Sequence, residues 1–174
     1  MADGKSKSDK SRSTPALIKP VDALEQAQTK TALAFWQSHA RQGSLPHTNL
    51  IYPSALRDLL PNIVLIDVIW PDGNQDDVAV PQDFRYRLIG GHSAETHDAN
   101  LTGTLVSDLS RFGESYSEVM MGFYRSICAQ KAPVAAGGTL AIIGKGYRDF
   151  EAVYLPFTES GKRVDRLMAA VVYL

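Results

Sequence analysis

The sequence holds a single cysteine, Cys128, which excludes an internal disulfide framework and any zinc or iron–sulfur site built from several thiolates. Long apolar runs are also missing. The longest, IVLIDVIW at 63–70, contains an aspartate and falls short of the roughly 18–20 residues that a spanning helix needs, so no membrane segment is expected. Neither sign of charge is in excess: 18 Lys and Arg face 19 Asp and Glu, a formal net charge of -1. That balance gives no general attraction to nucleic acid or to an anionic membrane. The N-terminus lacks the apolar stretch of a secretion signal, so a cytoplasmic protein is expected. What the sequence does have is a hydrophobic share of 44% over 174 residues. This excludes wholesale disorder and suffices for one domain with a real core.

The first twenty residues differ in composition from the rest. Lys5, Lys7, Lys10, Arg12 and Lys19 against Asp3 and Asp9 give this stretch a net charge of +3, leaving about -4 for the remainder. Its Ser/Lys richness reads as a disordered basic head over 1–20, followed by an N-terminal helical segment over 21–61 and the main domain over 62–174. Leu24, Ala27, Thr31, Ala34/Phe35 and Ser38 recur at helical spacing and predict a helix over Val21–Arg41, stopped by Gly43. A short helix is predicted over Ser54–Leu60, between Pro53 and Pro61.

Beyond Pro61 the period becomes two. Strands are predicted over Ile63–Trp70 and 83–90, with an exposed acidic loop, PDGNQDDVAVPQ, between them. In the second strand Phe84, Tyr86 and Leu88 alternate with Arg85 and Arg87. Residues 91–112 read as irregular with helical turns. Glu114–Lys131 reads as a helix with Tyr116, Val119/Met120, Phe123 and Ile127 on one stripe, and Pro133 forces its exit. Three strands follow, over Val134–Ile143, Tyr147–Phe157 and Arg166–Leu174. The last, RLMAAVVYL, is apolar on both faces and should be central in its sheet. This order predicts an α+β domain with an antiparallel sheet.

Local chemical motifs are sparse. His92-Ser-Ala-Glu-Thr-His97 is the densest group of possible metal ligands, but a five-residue spacing turns the two rings about 140° apart on a regular helix. No metal site is expected. Gly138 and Gly144-Lys145-Gly146 lack the spacing and the hydroxyl residue of a phosphate loop, and no GxSxG elbow occurs. Cys128, in SICAQ, reads as a small buried apolar residue.

The segment LTGTLVSDL (101–109), the following helix, and GKGYRDFEAVYLPFTESGKRVDRLMAAVVYL (144–174) together resemble the PAS sensor domain. With FWQSHARQGSLPHTNLIYPSALRDLLPNI (35–63) and YRLIG (86–90), the chain is similar over about 33–173 to the short stand-alone PAS-type proteins of alphaproteobacteria. The resemblance implies a five-stranded antiparallel sheet cupped over a few helices, with a small pocket between them. It further implies a long helix at 114–131 across the sheet and an additional N-terminal helix behind it. Haem-binding members commonly take an axial histidine from the long helix or its neighbourhood, and the helix here has none. The Asn-Cys-Arg-Phe segment of light-sensing flavin members is absent. No cofactor is therefore expected, and a small-molecule ligand of unknown identity is.

For such a pocket the long helix offers Met120, Phe123 and Tyr124, and the strand 147–157 offers Tyr147, Arg148 and Tyr154. Tyr86 and Arg85 come from the strand 83–90, with His92 and His97 at the rim. Tyrosines and an arginine together would suit a carboxylated or aromatic metabolite. The expected function is a non-catalytic sensory or regulatory module, a homodimer through its N-terminal helix. It would act in trans on a signalling partner, because the sequence carries no effector domain. The competing readings are an enzyme using His92 or His97 with Asp98, and an adaptor with a filled core.

Overall fold

The computed structural model describes residues 16–72 and 79–174. Residues 1–15 of the expected basic head, and 73–78 of the expected acidic loop, lie outside the described residues. The chain is α+β, with β1 (Leu17–Lys19), α1 (Ala27–His39), β2 (Ile63–Ile69), β3 (Asp83–Ile89), α2 (Gly91–Thr96), α3 (Glu114–Gln130), β4 (Val134–Leu140), β5 (Lys145–Phe157) and β6 (Arg166–Tyr173). Short 3-10 turns at Val21–Ala23, Thr48–Leu50, Arg57–Asn62, Val106–Asp108, Ser110–Phe112 and Ala141–Ile143 connect them. The strands form one open antiparallel sheet in the order β1-β4-β5-β6-β2-β3.

The period of two along the strands divides this sheet into two faces, each with its own core. Ala152 and Tyr154 of β5, Leu167, Ala169 and Val171 of β6, and Val64 and Ile66 of β2 point to one face. There they pack with Tyr116, Tyr124, Ile127 and Cys128 of α3. Val153, Leu155 and Phe157 of β5, Met168 and Ala170 of β6, and Ile63 of β2 point to the other, against Leu24, Ala32, Leu56 and Leu59. Apolar residues at both parities make β5 and β6 interior strands, and β6 does lie between β5 and β2. Gly113, at φ 122°, opens α3, and Lys131, in the left-handed region at φ 52°, closes it ahead of Pro133.

Three sequence expectations are corrected. The sheet has six described strands, not five, because Leu17–Lys19, assigned to the head, pairs with Gly137, Ala136 and Ala135 at the β4 edge. Three residues are too few for alternation to show, and the Lys19 stem lies over Gly137 at ordinary contact distance. Leu88 does not share a face with Phe84 and Tyr86. A bulge opposite Leu65/Ile66 leaves Arg87 without a partner, and the extra residue sends Leu88 to the α1 side. The buried face of α1 carries Thr29, Ala32, Leu33 and Trp36, while Ala27, Thr31, Ala34 and Ser38 of the expected stripe are exposed.

Polar contacts set that rotation. The Glu151 carboxylate on β5, 3% exposed, accepts the backbone N–H groups of Glu25 and Gln26 at 2.9 Å each, together with the Thr29 hydroxyl and the Lys19 ammonium. It thus caps the N-terminus of α1 from the sheet and pins β1 beside it. At the far end of α1, the Trp36 indole N–H donates to the Pro156 carbonyl at 2.7 Å.

Candidate functional site

A cavity of about 210 Å³ lies between α3 and the inner face of the sheet. Its walls are Val64, Ile66, Ala136, Ala169 and Val171 from the strands and Met120 and Phe123 from α3. Small residues on β4 and β6, Ala136 and Ala169, leave the space that larger ones would fill. Leu17 and Ile18 of β1 and Val119 of α3 also line it, yet they are 56%, 64% and 50% exposed. They mark the open side, between the β1–β4 edge and α3.

The polar groups of the cavity are hydroxyls and one imidazole. Tyr86 and Tyr124 hydrogen-bond to each other at 3.1 Å, with Tyr116 beside Tyr86. The rings of Phe123 and Tyr154 meet edge to face at 4.8 Å, and Tyr154 lies 6.0 Å from Tyr124. Tyr173 and Ser93 share a hydrogen bond at 2.8 Å. Burial raises the phenol pKa of Tyr86, Tyr116, Tyr124 and Tyr154 and pushes Tyr173 up to about 12, so all five stay protonated at neutral pH. Among the described residues, none hydrogen-bonds the Tyr154 hydroxyl.

His97 follows α2, and its Nδ1 lies 2.9 Å from the Ser93 carbonyl. A carbonyl oxygen only accepts, so Nδ1 carries the hydrogen and Nε2 of the neutral ring keeps its lone pair. Burial lowers the His97 pKa, and Lys145 and Arg111 nearby act in the same direction. The Ser93 carbonyl and Asp98 oppose them without reversing the shift. The ring meets Phe112 and Tyr173 edge to face.

Of the residues expected at the site, Tyr86, His97, Met120, Phe123, Tyr124 and Tyr154 come together in the cavity. His92, Tyr147 and Arg148 do not. His92 is exposed in the first turn of α2, whereas His97 lies just past its end. Tyr147 is 81% exposed because it precedes the stretch of β5 that α3 covers. Arg148 stacks over the Tyr173 ring at 5.9 Å, and Arg85, within β3 opposite Asp67, is exposed. The expected arginine contact to a carboxylate is therefore not built. Among the described residues, no Asp, Glu, Lys or Arg lines the cavity. Asp98, the carboxylate closest in sequence to His97, pairs instead with Lys145 at 2.6 Å.

Sequence reasoning missed Tyr173, Ser93 and Phe150 as lining residues, and left Tyr116 in the helix stripe without a site role. Tyr173 carried a usable signal, since it shares its strand parity with Ala169 and Val171. Ser93 carried none. Cys128 is buried beside this core with a free thiol. Among the described residues, no group of three or more His, Cys, Asp or Glu side chains converges, and no helix is long and apolar enough to cross a membrane. The chain matches no family model, no curated protein and no solved structure.

Proposed function

We propose that this chain is a non-catalytic sensory module of the PAS type that binds a small molecule between α3 and the sheet. The observation that carries the reading is the cavity of about 210 Å³, open on one side and lined by apolar side chains with a few convergent hydroxyls and an imidazole. A long helix across one face of an antiparallel sheet, with a further helix behind it, supports the PAS resemblance. A filled-core adaptor has no use for such a space. The enzyme reading draws support from His97 in the cavity, but the group that orients its ring is a backbone carbonyl instead of a carboxylate.

Native and denaturing mass spectra of the full chain test the reading, before and after incubation with a cell metabolite extract. A stoichiometric added mass, lost on denaturation and absent in Ala136→Phe, is the expected result. No added mass in either sample, or one that survives in Ala136→Phe, overturns it.

Output through α1 as a homodimer contact is part of the same proposal. Its exposed face carries Ala27, Thr31 and Ala34. Light scattering of the full chain is expected to report a dimer that Ala34→Glu dissociates. A monomer, or a dimer indifferent to that change, refutes the assignment.

A further inference from the structure

We infer that the cavity's occupant is an uncharged, largely apolar molecule the size of one substituted ring, whose hydroxyl group donates to Nε2 of His97. The inference rests on reading the cavity as a binding site and adds the chemical class of what it takes.

Charge is the first argument. Among the described residues, the cavity offers no cation to a carboxylate or phosphate and no anion to an amine. A buried ionised group without a partner is strongly disfavoured, and hydroxyl donors alone do not replace the water it loses. The guanidinium of Arg148 lies over the Tyr173 ring and that of Arg111 over the Phe112 ring, both outside the lining. Size is the second. A dry apolar cavity of about 150 Å³ accommodates benzene, so about 210 Å³ holds one ring with a short substituent.

Hydrogen-bond polarity is the third. Tyr86 and Tyr124 share one hydrogen bond, as do Ser93 and Tyr173, and a hydroxyl such as that of Tyr154 can donate or accept, so none of these groups fixes the polarity of a ligand. The Nδ1 hydrogen of His97 is committed to the Ser93 carbonyl, and Nε2 has no hydrogen-bond partner among the described residues. An acceptor without a partner at a mostly apolar wall selects a donor from the ligand. The groups around the ring are Lys145, Asp98, Arg111, Phe112 and Tyr173. Lys145 is itself engaged by Asp98 and the Thr96 carbonyl. Nothing here stabilises an imidazolium enough to offset burial, so the acceptor persists at neutral pH.

Three probes of one shape separate these arguments: 4-ethylphenol, 4-ethylanisole and 4-ethylbenzoate, titrated calorimetrically into the full chain at pH 7.5. The phenol is expected to bind about fivefold or more tighter than the anisole, which lacks the donor. The benzoate is expected to bind at least about thirtyfold more weakly than the phenol. His97→Phe should equalise phenol and anisole while anisole binding persists, and His97→Gln, which restores an acceptor, should recover part of the phenol preference. Equal phenol and anisole affinities in the unaltered protein overturn the hydroxyl assignment. Benzoate binding as tight as the phenol overturns the neutral class and leaves the cavity reading standing. If none of the three binds at millimolar concentration, both fail.

Discussion

Replacing Glu151 by glutamine should destabilise the protein by about 3 kcal/mol at neutral pH, and the loss should shrink as pH falls. Burial by itself raises the pKa of this carboxyl. The donors around it, Lys19, Thr29 and the Gln26 and Glu25 amides, outweigh that effect and hold it down to about 2, against an ordinary value of 4.5. A pKa lower in the folded state means that the ionised form stabilises the fold. The contribution is complete above about pH 4.5 and lost as pH falls toward 2, and two to three units correspond to about 3 kcal/mol. Glutamine keeps one acceptor but turns an N–H donor toward donors, so little of the charged contribution survives. Urea unfolding followed by circular dichroism measures it directly. The gap between wild type and Glu151→Gln should be about 3 kcal/mol at pH 7, and smaller by about 1.4 kcal/mol at pH 3.5, one unit below the unfolded value. Lys19→Met, which removes one partially exposed donor, should cost about 1 kcal/mol. A gap below about 1 kcal/mol at pH 7, or one that does not narrow in acid, would refute the assignment of Glu151 as the anchor of α1.

Two further outcomes follow from packing. An added Cβ at Gly90 would lie 2.6 Å from the Leu60 and Pro61 carbonyl oxygens and 2.8 Å from that of Ile63, all backbone atoms. Gly90→Ala should therefore lose about 2–3 kcal/mol, read as a lower urea midpoint, and an unchanged midpoint would show that the turn yields. Burial, with Asp165 nearby, pushes the Cys128 thiol up to about 12. The native protein should resist Ellman's reagent at pH 8 and react once unfolded, whereas rapid stoichiometric reaction without denaturant would place the thiol within solvent reach.

The parts of this fold legible in the sequence are those where one side-chain pattern repeats long enough to be read. The two-sided apolarity of 166–174 identifies an interior strand, and Tyr116, Ile127 and their neighbours identify the buried side of α3. Legibility fails where a single distant contact overrides a weak local pattern. The large apolar residues of α1, Leu33, Phe35 and Trp36, crowd into one turn and mark no continuous stripe, so its rotation is decided by Glu151, more than a hundred residues away in sequence, and by the Trp36 bond to Pro156. One bulge residue, Arg87, reverses the parity of Leu88, and no composition rule marks it. The site shows the same division. Tyr86, Met120, Phe123, Tyr124 and Tyr154, all on long regular elements, line the cavity where a pocket between helix and sheet is expected from the resemblance. Tyr147 and Arg148 were misplaced because alternation says which face a residue takes but not how far along the strand the covering helix reaches.

The short strand β1 gives the cavity a kinetic property as well as a wall. It contributes Leu17 and Ile18 to the rim, is held by three residue pairs at a sheet edge, and its last residue reaches Glu151 across Gly137. Edge segments with few contacts open far more often than interior strands. For the proposed ligand, fraying of β1 at the rim would set how fast it enters and leaves, while His97 and the apolar floor would set its affinity. Because Lys19 belongs to the fraying unit, raised ionic strength should quicken exchange more than it alters occupancy. Amide hydrogen exchange at Leu17–Lys19 faster than along β5 and β6, and faster still in salt, is the signature of that separation.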